Sequence, residues 1–310
     1  MRESQAIAVI GGTAAGTAAA AEIKRLDPNA RVVLFEKGPH IAYGACEIPQ
    51  LIQGGKAVSE LIRFTPEEFQ TEKGVLVRPR TMVTQLRPSS NRLHATDVES
   101  GSEWEERFDK FVVATGARAA VPQVEGVDSL NTFAVRTLRD ASALRRASLA
   151  YPSSHVVVVG GGYVGVEIGE ALLKNGHRVT ILTPGGRLLT GYLDPIYQDR
   201  ITAQATGVGV TIRDERLASV IVDPANRVQA VQTAEGERIG CKIVVLATGI
   251  VPEVSLAVSA GARIGRTGAL RVSDSMRTSV ANVWACGDCV EVNRVVDGRP
   301  VHVALSPTAY

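Results

Sequence analysis

Two segments of this chain repeat one alternation of apolar run, glycine turn and small-residue helix. Near the start, AIAVIGGTAAGTAAAAEIKRLDPNARVVLFEK reads strand, turn, helix, strand, and in the middle SHVVVVGGGYVGVEIGEALLKNGHRVTILTP reads the same way. The Val/Ile runs are continuous rather than alternating, which is the pattern of parallel strands covered on both faces. Each segment therefore predicts a βαβ unit. Two further apolar runs, FVVATGA at 111–117 and IVVLATGI at 243–250, each follow one βαβ unit and are predicted to close the same kind of sheet. Between the two halves, VPQVEGVDSLNTF carries Pro and Gly and is the predicted crossing from one domain into the next. Beyond Gly249 the stretch GALRVSDSMRTSVANVWACGDCVEV is rich in strand formers and matches neither repeat.

The turns carry the first chemistry. Gly11-Gly12-Thr13-Ala14-Ala15-Gly16 lies between a strand and a helix, where a phosphate-binding turn belongs. Gly11 permits the tight turn, Gly16 lets helix and strand pack closely, and the free N–H groups at the helix start favour a pyrophosphate. Thr13 stands in the middle glycine position, so the strict fingerprint is broken there. Glu36 ends the second strand at the spacing expected of a carboxylate that accepts ribose hydroxyls. In the second repeat Gly160-Gly161-Gly162-Tyr163-Val164-Gly165 fits GxGxxG without exception. Its strand end reads Thr183-Pro184-Gly185-Gly186-Arg187, with no acid. Without that acid the usual preference for a free 2′-hydroxyl is lost, and Arg187 is either a contact to a 2′-phosphate or a solvated loop charge.

Composition narrows the partners. With 310 residues the chain is long enough for two domains. Lys plus Arg number 34 against 32 Asp plus Glu, with the cations scattered, so charge supports neither nucleic-acid nor membrane-surface binding. The start runs straight into a strand pattern without signal-peptide character, and no apolar stretch reaches the length needed to span a bilayer. Four cysteines in such a chain do not make a disulfide scaffold, and a cytoplasmic setting is the expectation.

Two dinucleotide turns, two ATG strand ends and Ala285-Cys286-Gly287-Asp288 near the end together resemble the pyridine nucleotide-disulfide oxidoreductases. The resemblance covers essentially the whole chain in family order. It implies an α/β protein with two Rossmann-like FAD- and NAD(P)-binding domains in three layers, the nicotinamide domain inserted into a discontinuous FAD domain. The expected boundaries are 1–120 and 250–310 for the FAD domain and 121–249 for the NAD(P) domain. It further implies FAD contacts from the first turn, Glu36, Lys37, Val83, Ala114, Thr115, Gly116, Gly287 and Asp288. Asp288 would bind the ribityl chain. NAD(P)H contacts would come from Gly160, Gly162, Tyr163, Val164, Gly165, Glu167, Arg187, Thr248 and Gly249.

The subgroup rests on Ala42-Tyr43-Gly44-Ala45-Cys46-Glu47-Ile48-Pro49. Where most of the family has paired cysteines, this chain has Cys46 alone. That is similar to the single-cysteine branch, which holds coenzyme A-disulfide reductases, persulfide or polysulfide reductases and NADH oxidases. The Cys-x-x-Pro spacing and Arg63-Phe64-Thr65-Pro66-Glu67-Glu68-Phe69 most resemble the coenzyme A-disulfide and persulfide reductases. Ala42 and Ala45 depart from that group, which usually places Ser and Asn there. Arg25 and Lys73 stand where it places contacts to coenzyme A phosphates; ordinary surface charge is the competing reading. Residue chemistry alone reads Cys46 as a buried structural cysteine. The resemblance makes it the redox sulfur, with Tyr163 covering the flavin and Glu167 holding the carboxamide. Cys286 and Cys289 spell CxxC, but one such pair lacks the ligands of a structural zinc, and Cys241 reads as a core residue.

The expected activity is FAD-dependent NAD(P)H oxidation coupled to reduction of a small-molecule disulfide, persulfide or polysulfide. An NADH oxidase or peroxidase and a non-catalytic redox-sensing module are the alternatives. Ser306 and Pro307 predict a helix start just before the chain stops. In the family that helix leads into a dimerisation domain, so a homodimer is expected only for a full-length form, and this chain is either a piece of one or a short member.

Overall fold

The computed structural model describes residues 4–304. The predicted helix start at Ser306 and Pro307 lies outside the described residues. The described residues form two compact units, one of residues 4–44, 62–118 and 251–304, the other of 45–61 and 119–250.

The first unit is built on the first βαβ segment. Strand β1 (Ala6–Ile10) leads through α1 (Ala14–Leu26) to β2 (Arg31–Phe35), and β1 and β2 pair in parallel from Ala6 opposite Arg31 to Ile10 opposite Phe35. After α4 (Pro66–Lys73), β3 (Leu76–Arg78) adds beside β2. A three-stranded antiparallel sheet follows, of β4 (Thr81–Arg87), β5 (Arg92–Asp97) and β6 (Glu103–Arg107). Strand β7 (Lys110–Val113) returns to the other side of β1, and β19 (Val283–Ala285), drawn from the segment that matched neither repeat, completes the order β19-β7-β1-β2-β3. Because side chains alternate along a strand, Ile7 and Val9 face one core with Ala20 of α1 and Phe69 of α4. Ala8 and Ile10 face the other, with Leu86, Leu93, Phe108 and Phe111. The unit is three layers: helices, parallel sheet, antiparallel sheet.

The second unit repeats that plan. Strand β10 (His155–Val159), α6 (Tyr163–Lys174) and β11 (Arg178–Leu182) form the βαβ segment, again with five residues in parallel register. With β9 (Thr132–Ala134), β12 (Thr211–Arg213) and β16 (Ile243–Leu246), the order is β12-β11-β10-β16-β9. The antiparallel sheet of β13 (Leu217–Val222), β14 (Val228–Thr233) and β15 (Arg238–Gly240) packs through Val220, Val228, Val231 and Ile239 on Val157 and Val159.

Residues 45–61, counted with the first domain on sequence, pack in the second unit. The short helix α2 (Ile48–Gln53) buries Ile48, Leu51 and Ile52. Asn175 at the end of α6 donates to the Ile52 carbonyl at 3.0 Å, and Arg145 of α5 (Leu138–Ala150) donates to the Leu51 carbonyl at 3.3 Å. No helix of the described residues is long and apolar enough to cross a membrane.

Candidate active site

In the first turn the glycines are required by contact. Gly11 has φ +110°, and a Cβ there would strike the Ala114 carbonyl oxygen at the end of β7. A Cβ on Gly16 would strike the Gly11 carbonyl oxygen, and one on Gly12 would lie 2.7 Å from Ile41 Cγ2 and 2.9 Å from Glu36 Cβ. Glu36 ties the turn down: Gly12 N–H donates to its Oε2 and Gly38 N–H to its Oε1, both at 2.7 Å. Thr13 occupies the N-cap of α1 without a side-chain hydrogen bond, and the first turn holds no acid. That leaves a helix of 13 residues presenting uncapped N–H groups beside Ala14 and Ala15, a donor set suited to a pyrophosphate.

Around this turn the other candidates fall at different depths. Gly287, at φ +77°, lies so close to α1 that a Cβ would come 2.7 Å from that of Ala15. Asp288 is half-buried beside it and its carbonyl oxygen is 2.8 Å from His302 Nε2. Thr115 donates from its hydroxyl to the Glu253 carbonyl at 2.6 Å, and Gly116 has open space around it. Lys37 is exposed, whereas Val83 is buried in the core shared with Phe35 and Phe108.

The second turn reproduces the first. Gly160 has φ +113° against the Ala247 carbonyl oxygen, and a Cβ on Gly165 would strike the Gly160 carbonyl oxygen. Gly161, absent from the sequence-derived candidates, is as confined as Gly12: a Cβ would sit 2.8 Å from Thr183 Oγ1. Symmetry between the two ATG ends also identifies Ala247 as the counterpart of Ala114. Comparing the repeats position by position was the signal for both. Thr248 donates to the Ala120 carbonyl at 2.8 Å. Helix α6 likewise starts without a side-chain cap or a first-turn acid. A cleft of about 410 Å³ opens at the carboxyl ends of β10, β11, β12 and β16, lined by Gly160, Gly162, Thr183, Glu215, Arg216, Thr248 and Gly249. Arg187 is not on its lining, and its guanidinium pairs with Asp199 at 2.7 Å.

A separate cavity of about 440 Å³ in the same unit brings together Cys46, Pro49, Gln50, Glu167, Glu170 and Lys174. Cys46 lies in a 3₁₀ turn, Ala45–Glu47, at the entry to α2. It is the exposed one of the four cysteines. Burial pushes the Cys241 and Cys286 thiols up to about 12, Cys286 helped by the neighbouring Cys289, and burial raises Cys289 too. Those three are held as inert thiols at neutral pH. Glu167 on α6 is raised above the ordinary carboxylate range by burial and then by the neighbouring Glu170. Tyr163, one helical turn earlier, packs its ring edge-on against Tyr192 at 4.7 Å between centroids and is not on this cavity's lining. Of the proposed coenzyme A contacts, Arg25 pairs with Glu22 at 2.6 Å, and the Lys73 ammonium sits 5.1 Å from the Phe64 ring centroid.

Two βαβ units, each ending in an uncapped helix start against a glycine turn, define a class of protein that binds two dinucleotides. The class is that of oxidoreductases using FAD and a nicotinamide coenzyme. Residues 5–307 match the pyridine nucleotide-disulphide oxidoreductase family, and the chain belongs to it. Over 307 residues the chain is 35% identical to the NAD(P)H sulfur oxidoreductase (CoA-dependent) of Pyrococcus abyssi, covering 99% of this chain and 67% of the relative. Over 301 residues it is 35% identical to the NAD(P)H coenzyme A polysulfide/persulfide reductase of Pyrococcus horikoshii, covering 97% and 66%. The solved NAD-dependent persulfide reductase of A. fulgidus superposes with a TM-score of 0.92 at 30% identity, over 98% of this chain and 57% of that one. The chain thus spans about two thirds of the length of its curated relatives and little more than half of that solved chain.

Proposed function

We propose that this chain carries the cofactor-binding and sulfur-attacking part of an NAD(P)H-dependent reductase of disulfide, persulfide or polysulfide sulfur. The observation that carries the reading is the placement of Cys46: the exposed cysteine, sharing a cavity with Glu167 from the helix of the second dinucleotide turn. FAD, when bound, supplies the route by which the electron pair of the nicotinamide hydride reaches sulfur. The N–H groups of the first turn hold its pyrophosphate, with Glu36 for its ribose and Asp288 for its ribityl chain. The turn at Gly160–Gly165 holds the nicotinamide coenzyme.

Cys46 acts as thiolate. Its sulfur attacks one sulfur of the acceptor, the acceptor S–S bond breaks, and the departing sulfur leaves as thiolate or sulfide. Cys46 is then half of a mixed disulfide, and two electrons reopen that bond, releasing the second product and restoring the thiolate. With the coenzyme bound, Tyr163, its ring packed on Tyr192, would act as the aromatic gate, and Glu167 would receive the carboxamide N–H. A coenzyme A acceptor would draw on Arg25 and Lys73 for its phosphates, after release from Glu22 and Phe64. The test is Cys46→Ser in the FAD-loaded chain, without air. NADH or NADPH should bleach parent and variant at similar rates. Reoxidation by coenzyme A disulfide or polysulfide should fall by about a hundredfold or more in the variant. Turnover at the parent rate would remove Cys46 from the reaction.

A further inference from the structure

We propose that the second unit holds an anion site at the end of its parallel sheet opposite the coenzyme cleft, for a small organic acid with a flat apolar body. A cavity of about 570 Å³ opens there, at the amino ends of β10, β11 and β16. These strands are neighbours, in the order β11-β10-β16. Register fixes what they present. Arg178 stands opposite His155, and Lys242 donates its backbone N–H to the His155 carbonyl at 3.0 Å. Arg178, His155 and Lys242 therefore form one row on one face of the sheet, and all three line the cavity.

Charge is unbalanced along this row. Among the described residues no carboxylate lines the cavity, and neither Arg178 nor Lys242 has an ion-pair partner. Both are exposed, so a ligand can reach them. The histidine between them adds no charge. Burial lowers its pKa, against the bond to Gly240 and with help from the Arg178 charge, and the ring is neutral at pH 7. Its Nδ1 donates to the Gly240 carbonyl and its Nε2 accepts from the Thr180 hydroxyl, each at 2.8 Å. Neighbouring strands lie about 5 Å apart, so two long cationic side chains can meet one anionic group across the fixed ring. Helix α5 ends at Ala150 on the cavity, and its carboxyl terminus opposes an anion with about half a charge, against two whole cations. Tyr151 and Pro152 supply apolar wall. A cleft lined by one sign of charge concentrates the other, and the wall retains the body that carries it.

The experiment is calorimetric titration of the FAD-loaded chain, in excess NAD+, with naphthalene-2-sulfonate and with its neutral sulfonamide. The parent should bind the sulfonate at one site, about tenfold more tightly than the sulfonamide. Arg178→Gln and Lys242→Gln should each weaken the sulfonate about fivefold and leave the sulfonamide within about twofold. Both positions are exposed, so neither change should move the urea midpoint beyond the range of a surface substitution. Parity of the two probes in the parent, or no saturable binding of the sulfonate, overturns the proposal. So does an unchanged sulfonate affinity in both variants. Equal weakening of both probes also overturns it, because the cations would then be wall and not the contacts of an anion.

Discussion

The two glycine turns share one backbone and differ in one acid. In both, the first glycine abuts a carbonyl at the end of the neighbouring strand, Ala114 or Ala247, and the last abuts the carbonyl of the first. In both, the second residue is pressed on the side chain that ends the second strand, Glu36 or Thr183. The difference is what that side chain does. Glu36 accepts two backbone N–H groups at 2.7 Å and so braces the turn it lies beside. Thr183 donates only to the Arg187 carbonyl at 3.3 Å, and Asp214 accepts from Gly185 N–H at 2.6 Å, which holds the loop after β11 and not the glycine turn. One backbone scaffold is thus present twice, with a carboxylate holding the turn only in the first.

The largest effects come from attacking what the turns share. Gly16→Ala and Gly165→Ala each put a methyl into a carbonyl oxygen, with backbone rather than a flexible side chain in the way, and each should cost about 3 kcal/mol. Both tryptophans, Trp104 and Trp284, belong to the first unit, so tryptophan fluorescence follows that unit in urea while far-ultraviolet dichroism follows both. Gly16→Ala should move the fluorescence midpoint. Gly165→Ala should move the dichroism and leave fluorescence in place. Fluorescence that shifted with Gly165→Ala would show that the repeats do not unfold as separate scaffolds.

A middle-sized effect comes from what the turns do not share. Glu36→Gln retains one acceptor of two and loses the charge, and should lower first-unit stability by about 2 kcal/mol. Thr183→Val removes a single long hydrogen bond and should cost about 1 kcal/mol or less in the second unit. Equal losses in matched urea titrations would mean that the carboxylate is not the structural difference between the repeats.

Sequence pattern carried the parallel strands and both turns, because continuous Val/Ile runs and glycine spacing are local signals. It did not carry the two antiparallel sheets: Glu103–Arg107 is mostly charged, and what makes it a strand is its pairing with β5. Nor did it carry the membership of residues 45–61 in the second unit, which depends on Asn175 and Arg145 reaching carbonyls of α2 from far along the chain. Arg187 was chosen for its distance from the strand end, but its pairing is set by Asp199 on α7 (Pro195–Gly207).

The smallest effect on stability is expected at the middle glycine, where the fingerprint and the fold disagree. Gly162 has φ −78° and ψ −176°, and Thr13 at the equivalent place has φ −92° and ψ −150°, extended backbone that any residue adopts. A Cβ on Gly162 would meet nothing nearer than Tyr192 Cε2 at 3.8 Å. Neither conformation nor packing therefore requires glycine there, which is why Thr13 is tolerated in the first turn. What the missing side chain leaves is room for a pyrophosphate to approach backbone N–H groups. Gly162→Thr should accordingly change the dichroism midpoint by no more than about 0.5 kcal/mol, while calorimetric affinity for NAD+ falls about tenfold. A variant that lost stability and kept its affinity would reverse the assignment, making this glycine a folding requirement and leaving the pyrophosphate to be held without it.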